Sequence, residues 1–522
     1  MTTPRILIVA AEAFPLAKTG GLGDAITGMA RALVQAHAQP TLLLPAYRGV
    51  ARRLQSTRPV AHLAGLPGGD ARLLAGECPQ SGLSFLLLEN DALYDRDGLY
   101  LDEGGQPYAD NALRYAALAH AAVRVAQGLP GLPRPNVVHA HDWHAALTPL
   151  LLRAARAQDV KSVLTIHNLA FQGQAPIEAA PALGIPAPFC GEQGAQAWGQ
   201  LNFMKAGIRH ADRITTVSQR YAREILTPEF GCGLDGLLRE RVADVLAIPN
   251  GIDTQLWNPT RDPHLGALRY GAANLANKRL CKAATQHEYG LQEDPQAVLL
   301  IMCSRLTGQK MADVAAQSLP QALDAHPQLQ VAVLGQGERH LENALRELGQ
   351  RYPRRCAVRI GYDEAGAHRL HAAGDLLLHG SRFEPFGLAP LYAMRYGTLP
   401  IGSRVGGMAD TIEDPGPQQP LTAMTRATGV LFDGSTPAEM TAAIARAVHL
   451  RSHATVWRAM QRNAMTADFS WRPAVAQYLA LFHALSGTQA QAAAPARQPA
   501  QAAARPVRRA HQGASLTAPL PQ

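Results

Sequence analysis

The apolar run Arg5-Ile-Leu-Ile-Val-Ala-Ala11 and the glycine-rich stretch Lys18-Thr-Gly-Gly-Leu-Gly-Asp24 decide the fold of the amino-terminal half. An uninterrupted apolar run of this length is typical of a strand that is buried on both faces of a parallel sheet. After the glycines, Ile26, Met29 and Leu33 recur at helical spacing. The order of strand, glycine turn and helix predicts a ligand site at the turn, because ligands bind at the carboxyl ends of parallel strands.

The same pattern recurs along the chain and then starts again in the second half. Strand-like runs alternate with alanine-rich helical stretches, and these runs are Thr41–Leu44, Phe85–Leu88, Val137–Ala140, Val163–Ile166, Ala297–Met302, Val331–Gly335 and Leu376–His379. The pattern predicts an α/β fold with two Rossmann-like domains that face a central cleft. The segment Ile248-Pro-Asn-Gly-Ile-Asp253 is typical of a hinge between them, since proline and glycine punctuate it.

The chain of 522 residues is longer than one hydrophobic core usually serves. We therefore expect an amino-terminal domain over residues 1–247 and a carboxyl-terminal domain with a terminal helix over residues 248–485. Residues 486–522 are rich in Ala, Gln, Pro and Arg. This composition predicts a disordered tail, because it offers too little apolar surface for a packed core.

The formal net charge of +8 does not by itself indicate binding to nucleic acid. Part of the positive charge lies in the tail, and the chain has no zinc finger, RNA-binding aromatic motif or basic helix. The six cysteines form no C-x-x-C pair, which is typical of free thiols in the cytoplasm. Glu12 interrupts the first apolar run too early for a signal peptide, and no stretch reaches the roughly 18 apolar residues of a membrane span. We predict a cytoplasmic protein whose partners are neither nucleic acids nor membranes, and the oligomeric state stays open.

Seven segments, in one order, resemble the bacterial glycogen synthases and plant starch synthases. They are Phe14–Asp24, His139–His144, Thr165–Gly173, Phe203–Gly207, Ser304–Lys310, Ser381–Pro385 and Phe469–Trp471. The resemblance runs from Arg5 to about Tyr478. It implies the two-domain GT-B architecture and a retaining transfer of glucose from ADP-glucose to the non-reducing end of an α-1,4-glucan such as glycogen, without a cofactor.

Candidate residues in the carboxyl-terminal half follow predicted strands. Arg305 and Lys310 lie where a departing nucleoside diphosphate needs fixed positive charge, and they match the donor-binding cations of the family. Glu384 precedes Gly387 and Leu388, whose backbone N–H groups at a predicted helix start are suited to hold the distal phosphate. The matching glutamate is essential in the family. We expect Glu384 to give electrostatic and hydrogen-bonding support rather than to act as a nucleophile.

Two tyrosines of this half also match family positions. Tyr362 matches an aromatic residue that packs on adenine. Tyr392 stands eight residues after Glu384, where many related retaining transferases carry a second glutamate and glycogen synthases carry tyrosine.

The glycine loop of the amino-terminal half supplies a candidate binding residue for the donor. Lys18 lies inside the turn formed by Gly20 and Gly21, where its ammonium can meet a phosphate or a sugar hydroxyl. The loop lacks the G-x-G-x-x-G spacing, and Leu44-Pro45 stand where a dinucleotide-binding fold offers a carboxylate to ribose. The sequence therefore disfavours a dehydrogenase.

The resemblance assigns further sugar contacts in this half. It implies that His167 and Asn168 contact the transferred glucose, that Asp142 is a carboxylate of the same cleft, and that Asp24 and Asn250 lie near the sugar. From residue chemistry alone, Asp24 is equally a helix N-cap and Asn250 a turn residue. A metal is not expected: His139 and His141 share a predicted strand face, but no further ligand set at useful spacing accompanies them.

The loop after Glu384 departs from the family pattern. Family members typically read Glu-Pro-Cys-Gly-Leu-Thr-Gln and Gln-Lys-Gly, whereas this chain has Glu384-Pro-Phe-Gly-Leu-Ala-Pro390 and Gln309-Lys-Met311. The departures leave open another retaining GT-B glucosyltransferase with a different donor or a small acceptor, or a catalytically silent glucan-binding relative. We expect Phe386 to be compatible with a working site, because backbone N–H groups bind phosphate whatever side chain precedes them.

Overall fold

The computed structural model of the protein describes residues 4–487. From residue 488 onwards the predicted tail lies outside the described residues. The described chain forms two lobes, each with a mainly parallel sheet between helices, so the predicted α/β fold class is confirmed.

The sheet of the first lobe has nine strands within the described residues, in the order β12-β11-β7-β6-β1-β2-β5-β4-β3. In this sheet β4 is antiparallel to β3 and to β5, and the other neighbouring pairs are parallel. The central strand β1 is buried, as its apolar run predicts, with Ile6, Leu7, Ile8 and Val9 at most 2% exposed. The strands are β1 (Arg5–Val9), β2 (Gln39–Pro45), β3 (Gln55–Leu63), β4 (Ala71–Cys78), β5 (Leu83–Glu89), β6 (Val137–His141), β7 (Lys161–Ile166), β11 (Arg213–Thr216) and β12 (Val245–Ala247).

A small antiparallel sheet lies between β7 and β11 in the chain, with the strands β8 (Gln174–Pro176), β9 (Gln196–Ala197) and β10 (Gln200–Asn202). The sheet of the second lobe is parallel throughout, in the order β15-β14-β13-β16-β17-β18. Its strands are β13 (Val298–Cys303), β14 (Leu329–Gly335), β15 (Cys356–Ile360), β16 (Leu376–His379), β17 (Leu399–Ser403) and β18 (Val430–Phe432).

Helices connect the strands of both sheets. Those of the first lobe are α1 (Gly21–Gln35), α2 (Asp91–Tyr94), α3 (Asn111–Gln127), α4 (Asp142–Ala145), α5 (Thr148–Ala154), α6 (Phe203–His210), α7 (Gln219–Glu224) and α8 (Asp235–Glu240). Those that follow are α9 (Ala276–Glu288), α10 (Ala312–Ala325), α11 (Arg339–Arg351), α12 (Glu364–Ala373), α13 (Leu388–Arg395), α14 (Gly406–Thr411), α15 (Pro437–Ser452), α16 (Ala454–Thr466) and α17 (Arg472–Leu485).

The last helix returns to the first lobe. The rings of Tyr478 and Phe482 on α17 pack against His139 of β6, with centroids 5.2 and 5.6 Å away. Gly28 of α1 has no room for a Cβ, because the Trp471 ring occupies that space. The returning chain also braces the predicted hinge, since the Ile252 N–H donates to the Phe469 carbonyl at 2.8 Å. The bounds 1–247 and 248–485 stay a prediction, and by its packing α17 belongs to the first lobe.

Candidate active site

Most of the predicted site residues lie at the facing carboxyl edges of the two sheets. In the first lobe they follow β1, β6 and β7, which are adjacent in the sheet, and in the second lobe they follow β13 and β16, which are also adjacent. Asn250 and Tyr362 instead follow the edge strands β12 and β15. In both sheets the chain continues to one side and later returns to the other side of the first strand. The crevice at such a reversal is where open α/β sheets bind ligands.

The glycine loop after β1 is held by a buried carboxylate. Glu12 accepts hydrogen bonds from the Thr19 N–H at 2.9 Å, the Thr19 hydroxyl at 2.7 Å and the Tyr100 hydroxyl at 2.8 Å. Gly20 is the N-cap of α1, and apart from Gly20 and its two chain neighbours no described residue has an atom within 4 Å of the place where a Cβ of Gly20 would be. The loop therefore leaves open space at the start of a 15-residue helix, where backbone N–H groups favour an anion.

Lys18 and Asp24 meet above this loop and reach the second lobe. The Lys18 Nζ lies 3.0 Å from the Asp24 carboxylate and 3.0 Å from that of Glu364, at the start of α12. Burial opposes the charge of Lys18, but the two carboxylates outweigh burial and raise its pKa. Burial raises the pKa of Asp24 to about 6, although Lys18 acts in the opposite direction. Lys18 is thus a fixed cation in the cleft.

Further contacts across the cleft join the glycine loop of the first lobe to α13 of the second lobe. The Tyr392 hydroxyl donates to Asp24 at 3.1 Å, and a Cβ at Gly21 would lie 3.0 Å from the Leu388 side chain. Tyr362 is 60% exposed beside these groups, and its hydroxyl bonds to Glu364. The glycine loop and the start of α13 therefore face each other directly.

Tyr392 is held in place by stacked rings. Its ring and that of His368 stack on Trp257, which lies in the linker between β12 and α9 (residues 248–275), and each ring pair has centroids 3.8 Å apart and planes within 9°. His368 is in turn held by the buried Asp262 carboxylate at 2.7 Å. The stack connects the linker to the contact between Tyr392 and Asp24.

A histidine pair lies at the ends of β6 and β7. His141 Nδ1 lies 2.9 Å from His167 Nε2, and burial lowers the pKa of His167 to about 3, so the His167 ring is neutral near pH 7. Asp142 directly follows β6 with a positive φ of 55°, and its carboxylate lies at the end of the neighbouring strand β7. There it accepts the backbone N–H groups of His167 at 2.8 Å and Asn168 at 3.0 Å.

Asp142 and Asn168 are both constrained by these contacts. Burial raises the pKa of Asp142 to about 7, against the N–H groups of Asn168 and His167, which lower it. The Asn168 amide oxygen accepts the Ala170 N–H at 3.1 Å. Asp142 therefore fixes the turn that presents His167, in addition to the sugar contact predicted for it.

The carboxylate of Glu384 is the centre of the second lobe's site. It is buried and pairs with the Lys310 ammonium, while His379 and the Ser381 hydroxyl approach the same oxygen, Oε2, at 3.1 and 2.9 Å. Burial opposes ionisation, but Lys310 and His379 together hold the pKa of Glu384 well below its usual range. Glu384 is therefore a fixed negative charge at the carboxyl end of β16.

The chain after Glu384 turns sharply into α13. Gly387 is the N-cap with a φ of 88°, a value that glycine adopts without strain. Phe386 is buried at 5% exposure, and its backbone and ring occupy the place of a Cβ at Gly407. The room that Phe386 requires is thus provided by Gly407.

Arg305 and Asn250 are not joined to these clusters. Arg305 is exposed after β13, and within residues 4–487 no carboxylate forms an ion pair with it. The Asn250 N–H donates to the Val217 carbonyl at 3.3 Å. No contact links the Asn250 side chain to another predicted site residue in the described part of the chain. Both stay predicted site residues.

Several residues that shape the site were not predicted to belong to it. They are Glu12, His141, Glu364, His379 and Glu224. The carboxylate of Glu224, at the end of α7, accepts the Gly406 N–H of the second lobe at 3.1 and 3.2 Å. A charged residue at the end of an apolar run, as Glu12 is, was the available signal for one of them.

None of the described helices has the length and apolarity to cross a membrane. Over the described range, no group of three or more His, Cys, Asp or Glu side chains is arranged to hold a metal ion.

Two facing α/β lobes with charged groups at both inner edges form the GT-B architecture that the sequence predicts. The family model for the starch synthase catalytic domain matches residues 5–240, and the model for glycosyl transferases group 1 matches residues 285–464. Glycogen synthase of Bordetella petrii is 63% identical over 476 residues, which cover 91% of each chain. Glycogen synthase of Ralstonia nicotianae is 52% identical over 482 residues, which cover 92% of this chain and 88% of the relative.

A solved structure agrees with these relatives. The catalytic domain of Starch Synthase IV from Arabidopsis thaliana, bound to ADP and acarbose, matches with a TM-score of 0.84 and 26% identity, over 93% of this chain and 100% of that one. The chain therefore belongs to the glycogen and starch synthase family, and it is a glycosyltransferase. The resemblance that the motifs predicted is confirmed.

Proposed function

We propose that this protein is a glycogen synthase that transfers glucose from ADP-glucose to the non-reducing end of an α-1,4-glucan with retention at C1. The observation that carries the proposal is the meeting of charged groups from both lobes in one cleft, where the Lys18 ammonium of the first lobe pairs with the Glu364 carboxylate of the second at 3.0 Å. The names of the bacterial relatives support the acceptor. The ADP in the Arabidopsis structure supports the donor.

The diphosphate of the donor is assigned to the second lobe and the glycine loop. Arg305 and Lys310 neutralise the charge that grows on the phosphates as the C1–O bond breaks. The N–H groups at the start of α13, at Gly387 and Leu388, hold the distal phosphate. Lys18 contacts the same anion from the first lobe, and Tyr362 packs on adenine, for which its exposed ring is available.

The glucose is assigned to the space between Glu384 and the histidine pair. The ionised Glu384 stabilises positive charge that develops at the anomeric centre, and it meets sugar hydroxyls. His167, Asn168 and Asp24 contact the sugar from the first lobe, with Asp142 holding the turn, and Asn250 lies at the linker. The new bond from C1 to the acceptor O4 forms on the face that the diphosphate leaves, and the acceptor proton departs with the diphosphate.

Closure of the lobes protects the activated sugar from water. The Tyr392 and Glu224 contacts across the cleft stabilise the closed arrangement. A water molecule in place of the acceptor would hydrolyse the donor, so closure favours transfer.

A donor and acceptor panel tests the proposal. ADP-, UDP- and GDP-glucose, labelled in glucose, are incubated with glycogen, maltose or glucose, and the label is followed into polymer and small products. We expect label from ADP-glucose in glycogen, and an exo-acting α-1,4-glucanase should release it. Label in small products alone would favour a small-acceptor transferase. Binding of glycogen without turnover of any donor would identify a silent relative.

A further inference from the structure

An exposed tryptophan occupies a position where its backbone is strained. Trp198 and Gly199 are the two residues of the tight turn between β9 and β10, with φ values of 49° and 78°. Two-residue turns of this kind need positive φ at both positions, for which Asn-Gly is the favoured pair. A bulky side chain with positive φ is a rare outlier, and such outliers cluster at functional sites. The Trp198 side chain is also 61% exposed, so core packing does not explain it.

The Trp198 ring is nevertheless held firmly. Its six-membered ring rests on the turn at Cys232 and Gly233, where a Cβ on Gly233 would lie 2.5 Å from it. Gly233 has a φ of 79°, so this turn also depends on glycine. The ring is therefore supported along its six-membered edge while 61% of the side chain stays exposed, an arrangement that suits stacking on a ligand.

A second exposed aromatic residue belongs to the same surface. Phe171 is 48% exposed, and Gln172 beside it ties three segments together. The Gln172 amide donates to the Cys232 carbonyl at 3.0 Å and accepts the Asn202 amide of β10 at 2.6 Å. Phe171 and Trp198, supported by the turn 232–233, are called the aromatic surface below.

The aromatic surface begins at the proposed sugar site. The Phe171 N–H donates to the Asn168 carbonyl at 3.3 Å, so Phe171 lies one turn beyond the residues assigned to the transferred glucose. A glucan that extends from the sugar site on this side therefore contacts Phe171.

The chemistry of the surrounding segment selects a neutral ligand. Residues 168–202 contain no Lys or Arg, and their only charged side chains are Glu178 and Glu192. The same segment carries five glutamines, which are residues 172, 174, 193, 196 and 200. Nucleic acid requires positive charge, which this segment lacks. Aromatic faces together with neutral amides suit a polyhydroxylated chain, because its sugar rings offer apolar C–H faces and hydroxyl edges.

We propose that the aromatic surface binds the acceptor α-1,4-glucan, several sugars away from the end that receives glucose. This inference rests on the proposed function. Trp198 stacks on one sugar ring, and the strain at its φ is retained because Asn or Gly at this position would give no stacking face. The surface makes long acceptors better substrates than short ones.

The test compares the wild-type chain of 522 residues with the variants Trp198→Asn, Trp198→Tyr and Phe171→Ala, all made in the same chain. Leu280→Ala is the control variant. Leu280 is an exposed apolar residue on α9 in the second lobe, 53% exposed. Glycogen retention is measured by affinity electrophoresis without donor, and KM is measured separately for glycogen and for ADP-glucose. Urea denaturation reports stability, and light scattering reports the oligomeric state.

We expect Trp198→Asn to weaken glycogen retention and raise the KM for glycogen about tenfold, with the KM for ADP-glucose unchanged. Its urea midpoint should stay equal or rise, because Asn-Gly suits the turn. Trp198→Tyr should keep most of the affinity, Phe171→Ala should lose part of it, and Leu280→Ala should lose none.

Unchanged glycogen retention and KM in Trp198→Asn, with an active wild type, would overturn the inference and leave the proposed function standing. Conversion of a wild-type oligomer to monomers by Trp198→Asn, without loss of glycogen affinity, would assign the surface to a second copy of the chain and also overturn it. Wild-type protein that binds glycogen through Trp198 but transfers no glucose would contradict the proposed function and support the binding surface.

Discussion

Replacing Lys310 or Arg305 by alanine is expected to impair catalysis to a similar extent but to affect stability very differently. Both cations are assigned to the departing diphosphate. Removing one such contact costs about 3 kcal/mol of transition-state stabilisation, or a loss of turnover of about a hundredfold or more. The structure distinguishes the two residues by their surroundings, since Lys310 pairs with the buried Glu384 and Arg305 is exposed.

The stability difference follows from the buried ion pair. The side chains of Lys310 and Glu384 are 12% and 9% exposed. In Lys310→Ala the Glu384 carboxylate stays buried with only His379 and Ser381 as partners. Loss of one partner of a buried pair costs about 3 kcal/mol of the free energy of unfolding. Arg305→Ala should change it by no more than about 0.5 kcal/mol.

The pH dependence gives a second readout of the same pair. The folded state lowers the pKa of Glu384, so the ionised carboxylate stabilises the fold above its unfolded pKa, and this stability is lost as pH falls through the folded pKa. Without Lys310 the folded pKa of Glu384 rises. The acid side of the activity profile of Lys310→Ala should therefore move to higher pH, whereas that of Arg305→Ala should not move.

Turnover of labelled ADP-glucose onto glycogen and urea denaturation measure both effects. Arg458→Ala, an exposed substitution on α16, is the control and should change neither quantity. If both mutants keep turnover within threefold of wild type, the assignment of these cations to the diphosphate is wrong. An unchanged free energy of unfolding in Lys310→Ala would contradict the buried pair.

Three further substitutions test other parts of the site. Phe386→Cys should fold with about 2–4 kcal/mol less stability, because it leaves a void, and should gain little activity, whereas large activation would show that a thiol is required. Tyr392→Phe removes the hydroxyl bonded to Asp24 and should raise the KM for ADP-glucose about fivefold at an unchanged unfolding midpoint; an unchanged KM would contradict a role in closure. His141→Ala should lower kcat about tenfold, because the His167 ring loses the contact that holds it. The pKa of His167 is lowered to about 3, so the activity of the wild type should show no titration from His167 between about pH 5 and 8. A step in wild-type activity near pH 6.5 that disappears in His167→Ala would refute the neutral ring.

The sequence alone predicted the parallel strands that are buried on both faces. The runs that begin at Arg5, Val137, Val163 and Val331 each coincide with a strand, because burial on both faces requires an uninterrupted apolar sequence. The hairpin strand Gln55–Leu63 was not predicted from the sequence. Most of its residues are exposed, so neither an apolar run nor a clear alternation marks it.

The sequence also indicated which residues to consider for the site, since Lys18, His167, Arg305 and Glu384 all follow predicted strands. Parallel strands end at the same edge of a sheet, so strand order is enough to bring these residues to the cleft. The roles assigned to them stay predictions.

The tertiary structure decided which of these groups meet. Lys18 and Glu364 are separated by 346 positions, and Tyr392 and Asp24 by 368. The Trp198 ring is likewise supported by Gly233, a residue of a distant turn. The periodicity of a sequence predicts whether a residue faces the core or the solvent, because this depends only on its own strand or helix. Contacts between the lobes depend on the angle and the distance between two separately folded units, and a local sequence pattern predicts neither.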